Sequence, residues 1–208
     1  MSILSTRSVI VRRADPGDDA IVTTLFHALH TFNASLDRRF MLADGWESVL
    51  AEHLAHERRH EHGATFLAYS GGCPAGLLMM DAHTDSPLFQ RRHWAEILAL
   101  YVVPDQRGEG VADRLIDEGL SWTRDHGLAR IQLYVTATNV RAKRFYSRAE
   151  FGPIQEIWCR DLDVATGEPP ADIACESAYA HGHHLLSGNQ HHLTVDDEPC
   201  DEAVSREP

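Results

Sequence analysis

No stretch of this 208-residue sequence approaches the ~18 consecutive apolar residues that a membrane-spanning helix requires. The first residues, MSILSTRSVIVRRAD, also lack an apolar run long enough for a secretory signal before the arginines begin. Both absences argue against a membrane protein and against a secreted one. We therefore expect a cytoplasmic protein that has no membrane partner.

Closely spaced cysteines are absent as well. The four cysteines, Cys73, Cys159, Cys175 and Cys200, lie far apart and form no C-x-x-C pair. Because zinc knuckles and disulfide frameworks depend on such spacing, the sequence favours neither. We expect reduced thiols and no bound metal.

The sequence also lacks a surplus of basic residues. The segment from residue 163 onward holds ten of the 31 acids but only one of the 19 lysines and arginines, Arg206. Residues 1–162 are left with 21 acids and 18 bases, which is close to neutral. Because nucleic-acid binding requires a basic face, we expect no nucleic-acid partner. A cationic substrate suits this part of the chain better.

The patterns that are present alternate between strand and helix. Helical apolar spacing recurs at residues 21–29 and 46–54, before and after a polar break at 33–39, and again at 111–126 and 139–149. β-branched and apolar runs predict strands, with a hairpin turn at Gly71-Gly72. The order predicts an α/β fold, a mixed sheet of about six or seven strands with parallel pairing in its middle, flanked by four helices. The strand segments are 8–14, 64–70, 74–82, 94–103, 130–137 and 154–162.

The last part of the chain differs in character. Residues 163–208 are rich in acids, proline, glycine and serine and show no sustained period, so we predict a disordered tail after a domain at 8–162. Weak metal binding or a regulatory role is the alternative for this tail. It holds five of the 14 histidines: His181, His183, His184, His191 and His192.

The stretch QRGEGVADRL, residues 106–115, joins a buried-looking strand to a helix that has no ordinary side-chain cap. Gly108 and Gly110 allow the backbone to approach a ligand without obstruction by a Cβ atom. The unpaired amides and the dipole at a helix start favour an anion there. Taken alone, the stretch fits a tight turn as well as a phosphate-binding loop.

Two motifs in this order resemble the GNAT superfamily of N-acetyltransferases, which transfer acetyl from acetyl-CoA to an amine. RGEGVA is similar to the family loop Q/R-x-x-G-x-G/A through Arg107, Gly110 and Ala112. NVRAKRFYSRAEF is similar to N-x-x-A-x-x-x-Y-x-x-x-G-F, although Glu150 stands where the family usually has glycine. The resemblance covers residues 8–162. The matching residues of the second motif are Asn139, Ala142, Tyr146 and Phe151.

This resemblance implies acetyl-CoA as co-substrate and assigns residues to it. The strand backbone at Leu100, Tyr101 and Val102 would pair with the pantetheine arm, and the same residues can also be sheet core. Asn139 would hydrogen-bond that arm or cap its own helix. Arg107 belongs to the loop motif. The pyrophosphate would lie on the backbone amides of Gly108, Glu109, Gly110, Val111, Ala112 and Asp113.

Two residues are candidates for proton transfer. Glu96 lies in an apolar strand, where some family members keep a glutamate base, and the alternative is an exposed strand end. The other family position for a base is Tyr134, which cannot accept a proton at neutral pH. Tyr146 resembles the family's donor to the leaving thiolate, and the alternative is a core aromatic beside Phe145.

The amine acceptor stays open between a small molecule and a peptide. In the family, acceptors bind near the first two helices and before the central strand, here residues 32–44 and 83–93. Both segments carry acids among arginines, so no single charge dominates. No cysteine lies in the two motifs, which favours direct attack over an acetyl-enzyme. The alternative is a non-catalytic acyl-CoA-binding or sensory module, and a homodimer is left open. The acids that could attract a cation are Asp37 and Asp44 in the first segment, Asp85 in the second, and Asp81 just before the second.

Overall fold

A computed structural model describes residues 8–161, in which five strands form one sheet and four helices pack on its two faces. None of these helices is both long and apolar enough to cross a membrane. The helices are α1 (Asp19–Leu36), α2 (Trp46–His60), α3 (Val111–Asp125) and α4 (Val140–Arg148). The strands are β1 (Val9–Arg13), β2 (Gly63–Ser70), β3 (Cys73–Thr84), β4 (His93–Val102) and β5 (Ile131–Leu133).

The strands lie in the sheet in the same order as in the sequence. β1 to β4 pair antiparallel, because hairpins and helical excursions return the chain beside the preceding strand. The crossover through α3 then places β5 parallel to β4. The mixed α/β sheet is therefore confirmed, but the parallel pairing lies at one edge and not in the middle.

Three details of the prediction are wrong. The described residues contain five strands and not six or seven, since 154–161 form no strand. The strand predicted at 130–137 is only three residues long. Ile154, Ile157 and Trp158 stay 75%, 66% and 88% exposed, so no sheet face holds that segment. The polar break at 33–39 is helical as far as Leu36, because no glycine or proline interrupts α1 there. Residue 162 and the predicted tail lie outside the described residues.

The sheet separates two cores. Strand alternation sends Phe66, Leu78 and Ile97 to the face covered by α3 and partly by α4. Leu67 and Met79, which follow Phe66 and Leu78 directly, pack on the opposite face against residues of α1 and α2. Each helix pair thus covers one face of the sheet.

A bulge in β4 reverses this alternation halfway along the strand. Met79 pairs with Ala99 and the next residue, Met80, pairs with Ile97, so the register skips Leu98. Before the bulge, Glu96 lies between Ala95 and Ile97 and therefore faces α1 and α2. After it, Leu100 and Val102 pack on the α3 side. One strand thus presents even-numbered residues to both faces.

Candidate active site

The loop before α3 has the open geometry that its glycines suggest. Gly108 and Gly110 have φ values of +92° and +78°, which non-glycine residues rarely adopt. No side chain caps the helix, as the sequence indicates. The helical ladder starts where the Arg114 amide donates to the Gly110 carbonyl at 3.1 Å, so the amides of 111–113 precede it. A Cβ atom at either glycine would meet no heavy atom within 4 Å, which leaves free space beside this backbone.

Arg107 fixes this loop to the end of β4. Its Nε donates to the Val102 carbonyl at 2.9 Å, and its guanidinium lies over the rings of Phe32 and Tyr101 at 5.9 and 5.8 Å. The Glu109 amide is also engaged, donating to the Gln106 carbonyl at 3.4 Å. Hydrogen bonds within the protein thus fix the first half of the loop, whereas Gly110 and the residues after it form the start of α3, where the backbone amides precede the helical ladder.

The edge of β4 next to this loop separates from β5. The parallel ladder runs only from Ala95 to Ile97 and ends opposite Leu133. Beyond Ile97, the described residues contain no strand that pairs with β4 on this side, although β3 pairs with Leu100, Tyr101 and Val102 on the other. An extended ligand can therefore lie along this edge, with the start of α3 at its end.

The α4 motif combines a helix cap with an aromatic cluster. The Asn139 Oδ1 accepts a hydrogen bond from the Ala142 amide at 3.0 Å, so the capping role considered for this residue is present. Tyr146 is half-buried and makes edge contacts with Phe145 and Phe151, with ring centroids 5.3 and 5.7 Å apart. Burial raises the pKa of the Tyr146 phenol well above its ordinary value. The phenol therefore stays protonated and can act as a donor.

Glu96 is 2% exposed, so the alternative of an exposed strand end is wrong. Burial raises the pKa of Glu96, while hydrogen bonds from Trp94 and Gln132 oppose that rise. Trp94 Nε1 donates to the Glu96 Oε2 at 3.3 Å. A carboxyl with a raised pKa and few donors is closer to neutral-pH basicity than a solvated glutamate. Neither Trp94 nor Gln132 was predicted as a partner of Glu96, although the position of Trp94, two residues away on the same strand face, could have indicated it.

A cavity of about 430 Å³ lies between α1 and the segment that leads into α2. His27 stacks on Trp46, with ring centroids 5.5 Å apart, and Asp44 and Glu47 bring carboxylates to the lining. Of the acids considered for attracting a cation, Asp44 lines this cavity and Asp37 is paired with Arg39 at 2.8 Å. Asp81 is only 8% exposed, so its assignment to the acceptor surface is wrong.

Within residues 8–161, no three His, Cys, Asp or Glu side chains come together in a way that could hold a metal ion.

Comparison with known proteins gives consistent matches. The family whose model matches residues 29–151, more than half of the chain, is the Acetyltransferase (GNAT) family. An uncharacterized N-acetyltransferase of Archaeoglobus fulgidus is 37% identical over 60 residues, which are 29% of this chain and 41% of the relative. A mycothiol acetyltransferase of Propionibacterium freudenreichii is 34% identical over 107 residues, 46% of this chain and 32% of the relative. The match thus spans less than half of the length of either curated relative.

A solved structure has the same fold. The predicted acetyltransferase from Clostridium acetobutylicum, crystallised with acetyl-CoA, gives a TM-score of 0.58 over 74% of this chain and 97% of its own. The two sequences are 13% identical, so the similarity concerns the fold.

Proposed function

Because this chain belongs to the GNAT acetyltransferase family, we propose that residues 8–162 form an acetyl-CoA-dependent N-acetyltransferase domain. Its acceptor is the primary amine of a small molecule or peptide, which attacks the thioester directly. The observation that carries the proposal is the uncapped start of α3, placed at the end of an unpaired strand edge.

The co-substrate fits this arrangement in two places. Its pyrophosphate lies on the amides of Gly108 and Gly110 to Asp113, where the glycines leave free space and the helix dipole favours an anion. Its pantetheine arm lies along β4 at Leu100, Tyr101 and Val102. The Asn139 Oδ1 is used by the helix cap, so the Asn139 side-chain NH₂ is the group left to bind the arm. Bound acetyl-CoA supplies the acetyl group as a thioester.

Glu96 handles the proton of the acceptor. An ammonium group has a pKa near ~10.4 and must lose a proton before its nitrogen can form a bond to the acetyl carbon. Since Glu96 is 2% exposed, we place a water molecule between it and the amine. The nitrogen loses a second proton to water as the amide forms. The C–S bond breaks, the thiolate takes a proton from Tyr146, and water returns a proton to the Tyr146 phenolate.

The cavity beside Trp46 is the proposed acceptor pocket. Its stacked His27 and Trp46 rings and its two carboxylates, Asp44 and Glu47, suit an amine that arrives as a cation. One of the similar proteins named above is a mycothiol acetyltransferase.

Because Glu96 is 2% exposed, it can reach an acceptor only through water, and this separation favours a second candidate. The second candidate is a non-catalytic acyl-CoA-binding or sensory module. A panel of amines, covering amino sugars, polyamines and peptide N-termini, tests both candidates by release of free CoA thiol from acetyl-CoA. Acetylated product identified by mass spectrometry supports the enzyme. Tight acetyl-CoA binding without turnover on any amine would support the sensory module instead.

Replacing Gly110 by valine should weaken acetyl-CoA binding by about 10- to 100-fold, because a Cβ blocks one or two amide hydrogen bonds to phosphate. Isothermal calorimetry measures the affinity. The control is Gly127→Val, since Gly127 has a φ of +66° and also has no heavy atom within 4 Å of an added Cβ. Both variants carry comparable backbone strain. An equal loss of affinity in the two would show that strain, and not the phosphate site, is responsible.

Replacing Tyr146 by phenylalanine should lower kcat by about 10-fold, because the thiolate leaves without a proton donor. The loss should persist at alkaline pH, where the acceptor amine needs no base. Rates measured from pH 6.5 to pH 9 with one good acceptor check this, and Phe145→Leu controls for packing in the same aromatic cluster. Full activity of Tyr146→Phe would make the hydroxyl structural.

A further inference from the structure

One row of paired residues, three of them polar, crosses the sheet on the face covered by α1 and α2. Gly63 of β2 pairs with Asp81 of β3, Asp81 pairs with Glu96 of β4, and Glu96 pairs with Gln132 of β5. Beside this row the same sheet face holds the buried Thr65 and the fully buried apolar residues Leu67, Leu77 and Met79. Two carboxyl groups thus lie on directly opposed positions of neighbouring strands, where Cβ atoms are about 5 Å apart.

A third carboxyl adjoins the row from α2. Glu57 is 5% exposed, accepts hydrogen bonds from the Thr65 amide and hydroxyl at 3.0 and 2.6 Å, and lies 3.9 Å from Arg13 Nη2. The Asp81 carboxyl occupies the volume that a Cβ atom on Gly63 would need, and the Glu57 Cγ lies beside it. Asp81 is therefore enclosed between two other acids, Glu57 and Glu96.

We propose that Asp81 and Glu96 form a coupled carboxyl pair that carries one negative charge near neutral pH. Asp81 is then a positioning residue that sets the charge environment in which Glu96 accepts the proton of the acceptor. The inference rests on the proposed role of Glu96 as the base.

The unequal surroundings of the three acids decide which one keeps the proton. Glu57 has two donors and an arginine nearby, and Glu96 has the Trp94 indole and Gln132. The described hydrogen bonds include no donor to Asp81, and both of its acidic neighbours oppose its ionisation. Burial first, and then Glu57 and Glu96, raise the pKa of Asp81 to about 8.

Other groups around the pair do not reverse this ranking. Arg13 and Arg58 act on Glu57, and Arg58 is itself paired with Asp19. His83, two residues after Asp81 on the same strand face, stacks on Trp94 with ring centroids 4.1 Å apart. His53 lies one turn before Glu57 on α2 and is 4% exposed. The negative neighbours therefore dominate at Asp81, and Glu96 can ionise while Asp81 stays neutral.

Carboxyl carbon NMR on the full chain tests the coupling directly. In the wild type, the Asp81 signal should titrate near pH 8, and the Glu96 signal should show a second inflection at the same pH. Glu96→Gln should lower the Asp81 midpoint by about one pH unit or more, since a neighbouring charge is removed. Asp81→Asn should abolish the second inflection of Glu96. An Asp81 midpoint that does not move in Glu96→Gln would overturn the pair.

Glu57→Gln is the matched control. This variant should also lower the titration midpoint of Asp81, because Glu57 acts on Asp81. The main titration of Glu96, at the lower pH, should not change, because Glu57 does not act on Glu96. A shift of Glu96 equal to that of Asp81 would mean general repacking and would count against the pair.

Stability gives a second readout that needs no turnover. Folding raises the pKa of Asp81 from its ordinary 3.8 to about 8, so the folded state binds more protons between these values. The contribution of Asp81 to stability should therefore fall as pH rises from about 4 to about 8. Asp81→Asn should make the melting temperature less dependent on pH across this window. An unchanged pH dependence would contradict the protonated state of Asp81.

The rate profile links the pair to catalysis. With a responsive amine, the wild-type kcat/KM profile should show an inflection near pH 8 that Asp81→Asn loses. Intact turnover without the NMR shifts would refute the pair alone. NMR shifts without turnover on any amine would refute the proposed function and leave the carboxyl pair standing.

Discussion

Glu96→Gln should lower kcat/KM for an amine acceptor by about 100-fold near pH 7, the larger of the two expected losses in rate. Glutamine keeps the size of the side chain and can still accept from Trp94, whose Nε1 lies 3.3 Å from the carboxylate in the wild type. What it loses is the ability to take a proton. The comparison therefore isolates proton transfer from packing at a site that is 2% exposed.

The dependence of this loss on pH separates two roles for Glu96. If Glu96 removes the proton of the acceptor, the deficit should shrink as pH rises toward the ~10.4 of an alkylamine, because free amine becomes abundant. Steady-state rates with one good acceptor between pH 6.5 and pH 9.5 measure this trend. A deficit of the same size at every pH would show that Glu96 orients the acceptor. Gln132→Ala is a control that removes a neighbour of Glu96 but keeps its carboxylate.

Gly63→Ala should destabilise the domain by about 3 kcal/mol, near the upper end of overpacking effects. A Cβ atom there would overlap the Asp81 Oδ1 and would lie 2.8 Å from the Met80 carbonyl oxygen and 3.1 Å from the Glu57 Cγ. The carbonyl belongs to the β2–β3 ladder and cannot move without breaking it. Thermal unfolding should show a melting temperature lower by about 10 °C, given roughly 2–4 °C per kcal/mol for a domain of this size.

Gly152→Ala is the matched control for this change. Gly152 is exposed, and an added Cβ would meet no heavy atom within 4 Å, so its melting temperature should stay within about 2 °C of the wild type. In the double variant Gly63→Ala/Asp81→Ala, removal of the overlapping carboxyl should recover part of the loss. A Gly63→Ala variant as stable as Gly152→Ala would mean that the row of polar residues is loosely packed.

The sequence predicted those parts of the fold that depend on local patterns. Apolar spacing predicted all four helices, and Gly71-Gly72 predicted the β2–β3 hairpin. Residues 154–161 contain the apolar residues of a strand, but a strand also needs a partner edge, and sequence spacing does not reveal whether one is free. The parallel pair β4–β5 lies at the edge of the sheet for the same reason, because no further strand of the described residues pairs with β5.

In the candidate site, too, the features that depend on local sequence were predicted, and those that depend on tertiary contacts were not. The glycines at 108 and 110 predicted a loop whose backbone is open to a ligand, because the absence of a Cβ atom is a local property. The surroundings of Glu96 were not predicted, since they depend on the register that places Asp81 and Gln132 opposite it. Asp81 was considered as an acid that could attract a cation, because the sequence does not show that its side chain is buried. Only the tertiary position of α2 reveals that this acid is enclosed.

Because the register of β4 skips Leu98, the number of residues in this strand determines which face each side chain occupies. In a regular strand, Glu96 and Leu100 would project from the same face, since they are four residues apart. The skipped residue places Glu96 and Leu100 on opposite faces of the sheet, so substitutions around Glu96 need not disturb the residues beside α3. Removal of Leu98 would have the opposite effect. It would turn one half of the strand over relative to the other, and no point substitution elsewhere in the strand could restore both orientations.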